Sequence, residues 1–129
     1  MPQATVRSDE GGLTSTELAV LMPVVIALVL VPFQVALWWH ATQVANAAAQ
    51  EAVDTAQVAD ATESDGVAAA EWFLDQAGHL TNRQVTVTRG SDTVTAQVTG
   101  VAPRLLFDWS VTATATGEVE RFIIREPDR

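Results

Sequence analysis

The sequence predicts an α+β chain in which a long amino-terminal helix, transmembrane at first and continuing outside, carries a second helix packed on a small antiparallel sheet of about three strands. Three observations predict it. Residues 18–39 carry no formal charge. The stretch after them repeats alanine and valine at spacings of three and four, which is the period of a helix face. Near residue 84 the period drops to two, as in strands with one buried face.

The first element is the run "LAVLMPVVIALVLVPFQVALWW", which reaches the roughly 20 residues that a helix needs to cross a bilayer. About a dozen Leu, Ile, Val and Phe, each contributing roughly −0.3 to −0.6 kcal/mol, outweigh the one carboxylate at its edge, Glu17, which even at the membrane centre costs about 3 kcal/mol. Insertion is therefore favoured over burial in a core, because a chain of 129 residues could hardly surround so continuous an apolar cylinder. Trp38 and Trp39 match the aromatic belt at a membrane boundary. Pro23 and Pro32 each remove a backbone donor, so a bend or local adjustment is expected there.

Past Trp39, the positions Ala41, Val44, Ala45, Ala48, Ala49, Ala52 and Ala56 form one face, with Gln43, Asn46, Gln50, Asp54 and Gln57 opposite. The helix is expected to continue as an amphipathic rod as far as "DATESDG". Its alanine stripe permits close approach of a partner but buries little area per contact, and either the protein's own sheet or neighbouring copies can cover it. Ser64 or Asp65 is the expected cap of a second helix, with Val67, Ala70, Phe73, Leu74 and Ala77 on its inner face and Gly78 as terminator. "QVTVTR" and "TVTAQVTG", joined by "GSD", make an antiparallel hairpin over 84–100. A turn or short helix around "APRLLFDW" leads to a third strand in "SVTATATGEV". Thr on one face and Val or Ala on the other predict one face covered by the helices and one wet.

Charge and composition exclude several functions. The formal net charge is −9 and there is no lysine, so no basic face exists for a phosphate backbone and nucleic acid is not a partner. The absence of cysteine removes disulfides, thiolate catalysis and thiolate metal sites. His40 and His79 have no paired ligand spacing, and no nucleophile elbow or glycine-rich phosphate loop is present. Glu71 and Asp75 share a helix face, where two acids one turn apart are ordinarily solvated. Trp72 and Trp109 read as core or sheet-covering residues. Neither an enzyme nor a cofactor is indicated.

The amino terminus carries the remaining signal. A secretory signal wants a basic leader and a short apolar centre, whereas "MPQATVRSDEGG" sets Arg7 against Asp9 and Glu10, although Ala45 and Ala47 offer a small-x-small cleavage match. The start resembles instead a prepilin-type signal: a short polar leader ending in glycine, then a glutamate at the fifth mature residue, then a long apolar helix. Gly12 would end the leader, Leu13 would become the new amino terminus, and Glu17 falls on the fifth place. A glycine lets the backbone enter a protease groove, and a carboxylate beside hydrocarbon gains from a positive partner. In pilins, the resemblance implies, that partner is the free amine of a neighbouring subunit; otherwise Glu17 is an interfacial carboxylate without one.

Taken with "ANAAAQEAVDTA" and the late hairpin "VTVTRGSDTVTAQVTG", the start "EGGLTSTELAVLMPVVIALVLV" is similar to the TadE-like family of pseudopilins, minor components of tight-adherence pilus systems. Glu10 and Gly11 stand where family members carry an Arg before the leader glycine, and Leu18 stands where they carry an aromatic. The resemblance implies a leader over 1–12, a transmembrane helix with a processing motif over 13–39, and an exported α+β domain over 40–129. It also implies processing by a prepilin peptidase at Gly12 and Leu13, assembly through Glu17, and contacts with other pilins or pseudopilins and an inner-membrane assembly platform. The expected location is the cell membrane, single-pass, with the amino terminus cytoplasmic and the carboxy-terminal domain exported. The rival reading is a single-pass, membrane-anchored exported binding or structural module with no pilus role.

Overall fold

The computed structural model describes residues 14–121. Its elements are α1 (Ser15–Ala56), α2 (Glu63–Ala77), β1 (Thr81–Arg89), β2 (Thr93–Val101) and β3 (Ser110–Glu118). The strands form one antiparallel sheet in the order β1-β2-β3, so each pairs with its neighbour in the chain. This is the α+β class the periodicities predict.

Helix α1 is 42 residues long and runs unbroken through Pro23 and Pro32. Its second half supplies the core. Ala41, Val44, Ala45, Ala48, Ala49, Ala52 and Ala56 are all buried, joined by Val53, and the protein's own sheet and α2 cover them together, α2 lying against Ala52 and Ala56. Of the two coverings open to the alanine stripe, the intramolecular one is therefore realised. Small side chains are needed because the layers approach closely: a Cβ on Gly117 of β3 would lie 2.5 Å from Val53 Cγ1.

The strands present Val87, Val94, Ala96, Val98, Val111, Ala113 and Ala115 inward, and the intervening threonines face outward. Cross-strand partners such as Val98 with Ala113 and Val87 with Ala96 continue the same buried face from strand to strand. Each strand of the hairpin is longer than the 84–100 expectation, and the extra start of β1 carries a register shift between Thr81 and Gln84, where Asn82 takes a positive φ.

Three local expectations need correction. The α1 rod ends at Ala56 and not within 60–66, because the chain must reverse for α2 to lie back on α1, and Asp60 makes that turn with φ 68°. Arg89 then closes the corner, donating to the carbonyls of Val58 (3.2 Å) and Ala61. The cap of α2 is Thr62, neither Ser64 nor Asp65. A capping box needs a hydroxyl at the cap and a carboxylate three residues on, and Thr62 and Asp65 meet that spacing: Thr62 N–H donates to Asp65 Oδ2 at 2.8 Å, and Asp65 N–H donates to Thr62 Oγ1 at 3.3 Å. The hydrogen bond from the Thr62 side chain, then that from its backbone, holds the Asp65 carboxyl below its ordinary value. Finally, Trp72 is exposed, not core. It lies two residues beyond Ala70, roughly 200° round the helix from the buried Ala70 and Leu74.

Gly66, in the first turn of α2, marks the tightest helix crossing. A Cβ there would come within 2.8 Å of the Ala52 carbonyl oxygen and 3.0 Å of Ala56 Cβ. Ordinarily Gly→Ala inside a helix gains up to about 1 kcal/mol. Here the obstacle is backbone, which cannot swing aside, so Gly66→Ala is expected to lose about 1–3 kcal/mol through overpacking. Chemical denaturation of the detergent-solubilised chain measures it, and a stabilised variant would show that α2 can shift away from α1.

Candidate functional site

Gly12 and Leu13 lie outside the described residues. Glu17, the third member of the predicted processing and assembly motif, occupies the first turn of α1. Its carboxylate Oε2 accepts from the Thr14 backbone N–H at 3.1 Å, while Glu17 N–H donates to Thr14 Oγ1 at 3.3 Å. Thr14 is the N-cap, and the pair forms a complete capping box. Glu17 thus has a partner within its own chain, one that the motif Thr14-Ser15-Thr16-Glu17 signals by its spacing. The carboxylate remains exposed, and Thr16, Glu17, Val20 and Leu21 line a shallow open patch on the helix surface.

From Leu18 to Phe33 the large apolar side chains of α1 are exposed apart from the half-buried Leu30, in contrast to the covered alanine stripe beyond Ala41. This half of the helix is long and apolar enough to cross a membrane, and it fits a single-pass anchor. The folded part takes hold of α1 at Gln34, the one polar side chain in residues 18–39. Gln34 is 2% exposed. Its Oε1 accepts from the backbone N–H groups of Leu105 (2.8 Å) and Leu106 (3.0 Å), and its Nε2 donates to the Phe107 carbonyl at 3.2 Å. "APRLLFDW" is accordingly an irregular loop over 102–109, held by the helix and containing no helix of its own. Sequence reasoning missed this contact. A lone amide in an uncharged run was the available signal, but its partners lie more than 70 residues away.

Trp38 is half-buried and meets Trp109 edge to face, with ring centroids 5.8 Å apart, whereas Trp39 is exposed. Trp109 is thus exposed and not core, and it packs edge-on against the helix at Trp38. The remaining polar candidates are scattered. His40 and His79 are both exposed, His79 in the α2–β1 turn at φ 83°. Asp75 pairs with Arg83 of β1 while Glu71 stays exposed, so the two acids do not act together. Among the described residues no group of three or more His, Asp or Glu could hold a metal.

The geometry is that of an exposed apolar helix capped by a carboxylate and fused to a compact domain. No curated protein and no solved structure matches the chain. A family model does match, over residues 12–54, a segment that takes in Gly12, Leu13, Glu17, the apolar half of α1, Gln34 and the alanine stripe as far as Ala52; the family is described as TadE-like protein, the one the sequence resembles.

Proposed function

We propose that the chain is a pseudopilin-like minor subunit of a tight-adherence pilus assembly system. Residues 1–12 form a leader that a prepilin peptidase removes after Gly12, residues 13–39 anchor the product in the cell membrane, and residues 40–129 are exported. The observation that carries this reading is the division of α1: a bare apolar half directly behind Glu17, and a second half whose alanine face is already covered by the chain's own sheet and α2. With the alanine face occupied, lateral contacts with other pilins or pseudopilins and with an assembly platform fall to the bare half. The match to the TadE-like model begins at Gly12, the residue assigned to the end of the leader. Orientation follows from Arg7, the one leader cation, held inside by the positive-inside rule, with the acidic domain outside.

Processing is the test. Coexpressed with the cognate peptidase, the wild-type chain is expected to yield a membrane form whose intact mass starts at Leu13. Gly12→Val puts a bulky side chain where the glycine passes the peptidase groove, and its leader should stay attached. A wild-type chain that still begins at Met1 or Pro2 would favour the plain membrane-anchored module.

A further inference from the structure

Loop 102–109 joins β2 to β3 and is pinned at two places. Its base is closed by Ala102 N–H donating to the Trp109 carbonyl at 2.9 Å. Its tip is held by the three Gln34 hydrogen bonds. What the tip turns outward is apolar: Leu105 is 49% exposed and Phe107 59%, beside an exposed Arg104–Asp108 ion pair at 3.4 Å.

The loop's position along α1 follows from the sheet. Trp109, just before β3, meets Trp38, and Gly117, near the end of β3, lies against Val53 and Gln57. Strand β3 therefore runs alongside α1 in the same direction, and loop 102–109 lies at the end of the domain that faces the apolar half of the helix. The hairpin turn at 90–92 lies at the opposite end, because Thr93 pairs with Glu118. At about 1.5 Å per residue, Gln34 stands about 24 Å along α1 from Leu18, and Trp38 about 30 Å. The hydrocarbon core is about 30 Å thick. With Leu18 at one boundary, Trp38 reaches the other and Gln34 lies about 6 Å short of it; any tilt sets Gln34 deeper.

We propose that loop 102–109 is seated in the bilayer, with Leu105 and Phe107 entering the boundary between headgroups and acyl chains of the same membrane that α1 crosses. The inference rests on α1 spanning that membrane, as proposed above. Non-helical backbone is tolerated at such depth only where its polar groups are satisfied by protein, and Gln34 satisfies two N–H groups and a carbonyl at the tip. Apolar and aromatic side chains are favoured at this level, and the Arg104 stem can lie along hydrocarbon while its head stays with the headgroups. A domain attached at both helix and loop cannot roll freely about the α1 axis, so a fixed side of it faces any neighbour.

Because the chain has no cysteine, single substitutions can carry a nitroxide label. Val24→Cys, Phe107→Cys and Ser91→Cys, each in the full chain at one copy per phosphatidylcholine–phosphatidylglycerol nanodisc, report on the span, the loop and the far hairpin. Accessibility to oxygen against a water-soluble nickel chelate gives the depth. Val24 should be deep, Ser91 aqueous, and Phe107 at boundary depth, with nickel accessibility several-fold below that of Ser91. Leu105→Cys is read in parallel, so that one perturbed site does not decide the outcome. Loop labels as aqueous as Ser91, with Val24 still deep, would overturn the seated loop and leave the anchor standing. Protection that appears only at several copies per disc would assign the loop to a neighbouring subunit, which also overturns it. An aqueous Val24 would remove the anchor and the seated loop together.

Discussion

Leu74→Ala is expected to cost the folded domain a large part of its stability, about 2–5 kcal/mol, and to lower its Tm by at least about 10 °C. Leu74 is 1% exposed and is the largest fully buried side chain among the described residues. The core around it includes Ala45, Ala48, Ala49, Ala52 and Ala70, which have no rotamers through which to close a cavity. The void should persist, placing the loss in the upper part of that range. A domain of this size commands only about 4–12 kcal/mol in total. The measurement is denaturation of the full chain in detergent, followed by near-ultraviolet circular dichroism, where the Trp38–Trp109 pair reports on the join between domain and helix. Trp72→Ala, on the same helix but 63% exposed, is the control and should change stability by no more than about 0.5 kcal/mol. A Leu74→Ala loss below about 1 kcal/mol would mean that α2 can move in to fill the space, contrary to the backbone contact it makes at Gly66.

The same core explains which features were legible in the sequence. The alanine stripe from Ala41 to Ala56 and the Val/Thr alternation of the strands are local periodicities, and each maps directly onto a buried face. The Gly78 terminator was legible for the same reason, since its φ of 64° is a conformation the residue type itself favours. Contacts across long sequence separations were not. Nothing in the residues beside Gln34 marks the 102–109 loop that folds onto it, and nothing beside Arg89 marks the α1–α2 corner whose two carbonyls it meets. Helix caps fall between these cases. Both boxes have the right spacing in the sequence, Thr14 with Glu17 and Thr62 with Asp65, but the charge of Glu17 beside hydrocarbon masks its part in the first, and Ser64 and Asp65, being good cap residues themselves, compete with Thr62 in the second.

Glu17→Gln is expected to impair assembly while leaving the fold intact. Two roles now compete for one carboxylate: it ends the helix by accepting from Thr14 N–H, and in the proposed assembly it pairs with the amine of Leu13 on a neighbouring subunit, which only cleavage after Gly12 creates. They separate cleanly by substitution. Glu17→Gln removes the charge but keeps an acceptor oxygen at a position where glutamine also completes a capping box, so insertion, abundance and protease resistance should match wild type. Thr14→Ala does the reverse, losing the cap at a cost of about 0.5–2 kcal/mol while keeping the charge. A hydrogen bond to a charged group contributes about 1.5–3 kcal/mol, so Glu17→Gln is expected to weaken association with other pilins or the platform roughly tenfold to a hundredfold. Site-specific cross-linking in membranes that contain the cognate peptidase reads the difference. If cross-linking falls in Thr14→Ala but persists in Glu17→Gln, Glu17 serves the helix end alone, and assembly must rest on the bare apolar face behind it.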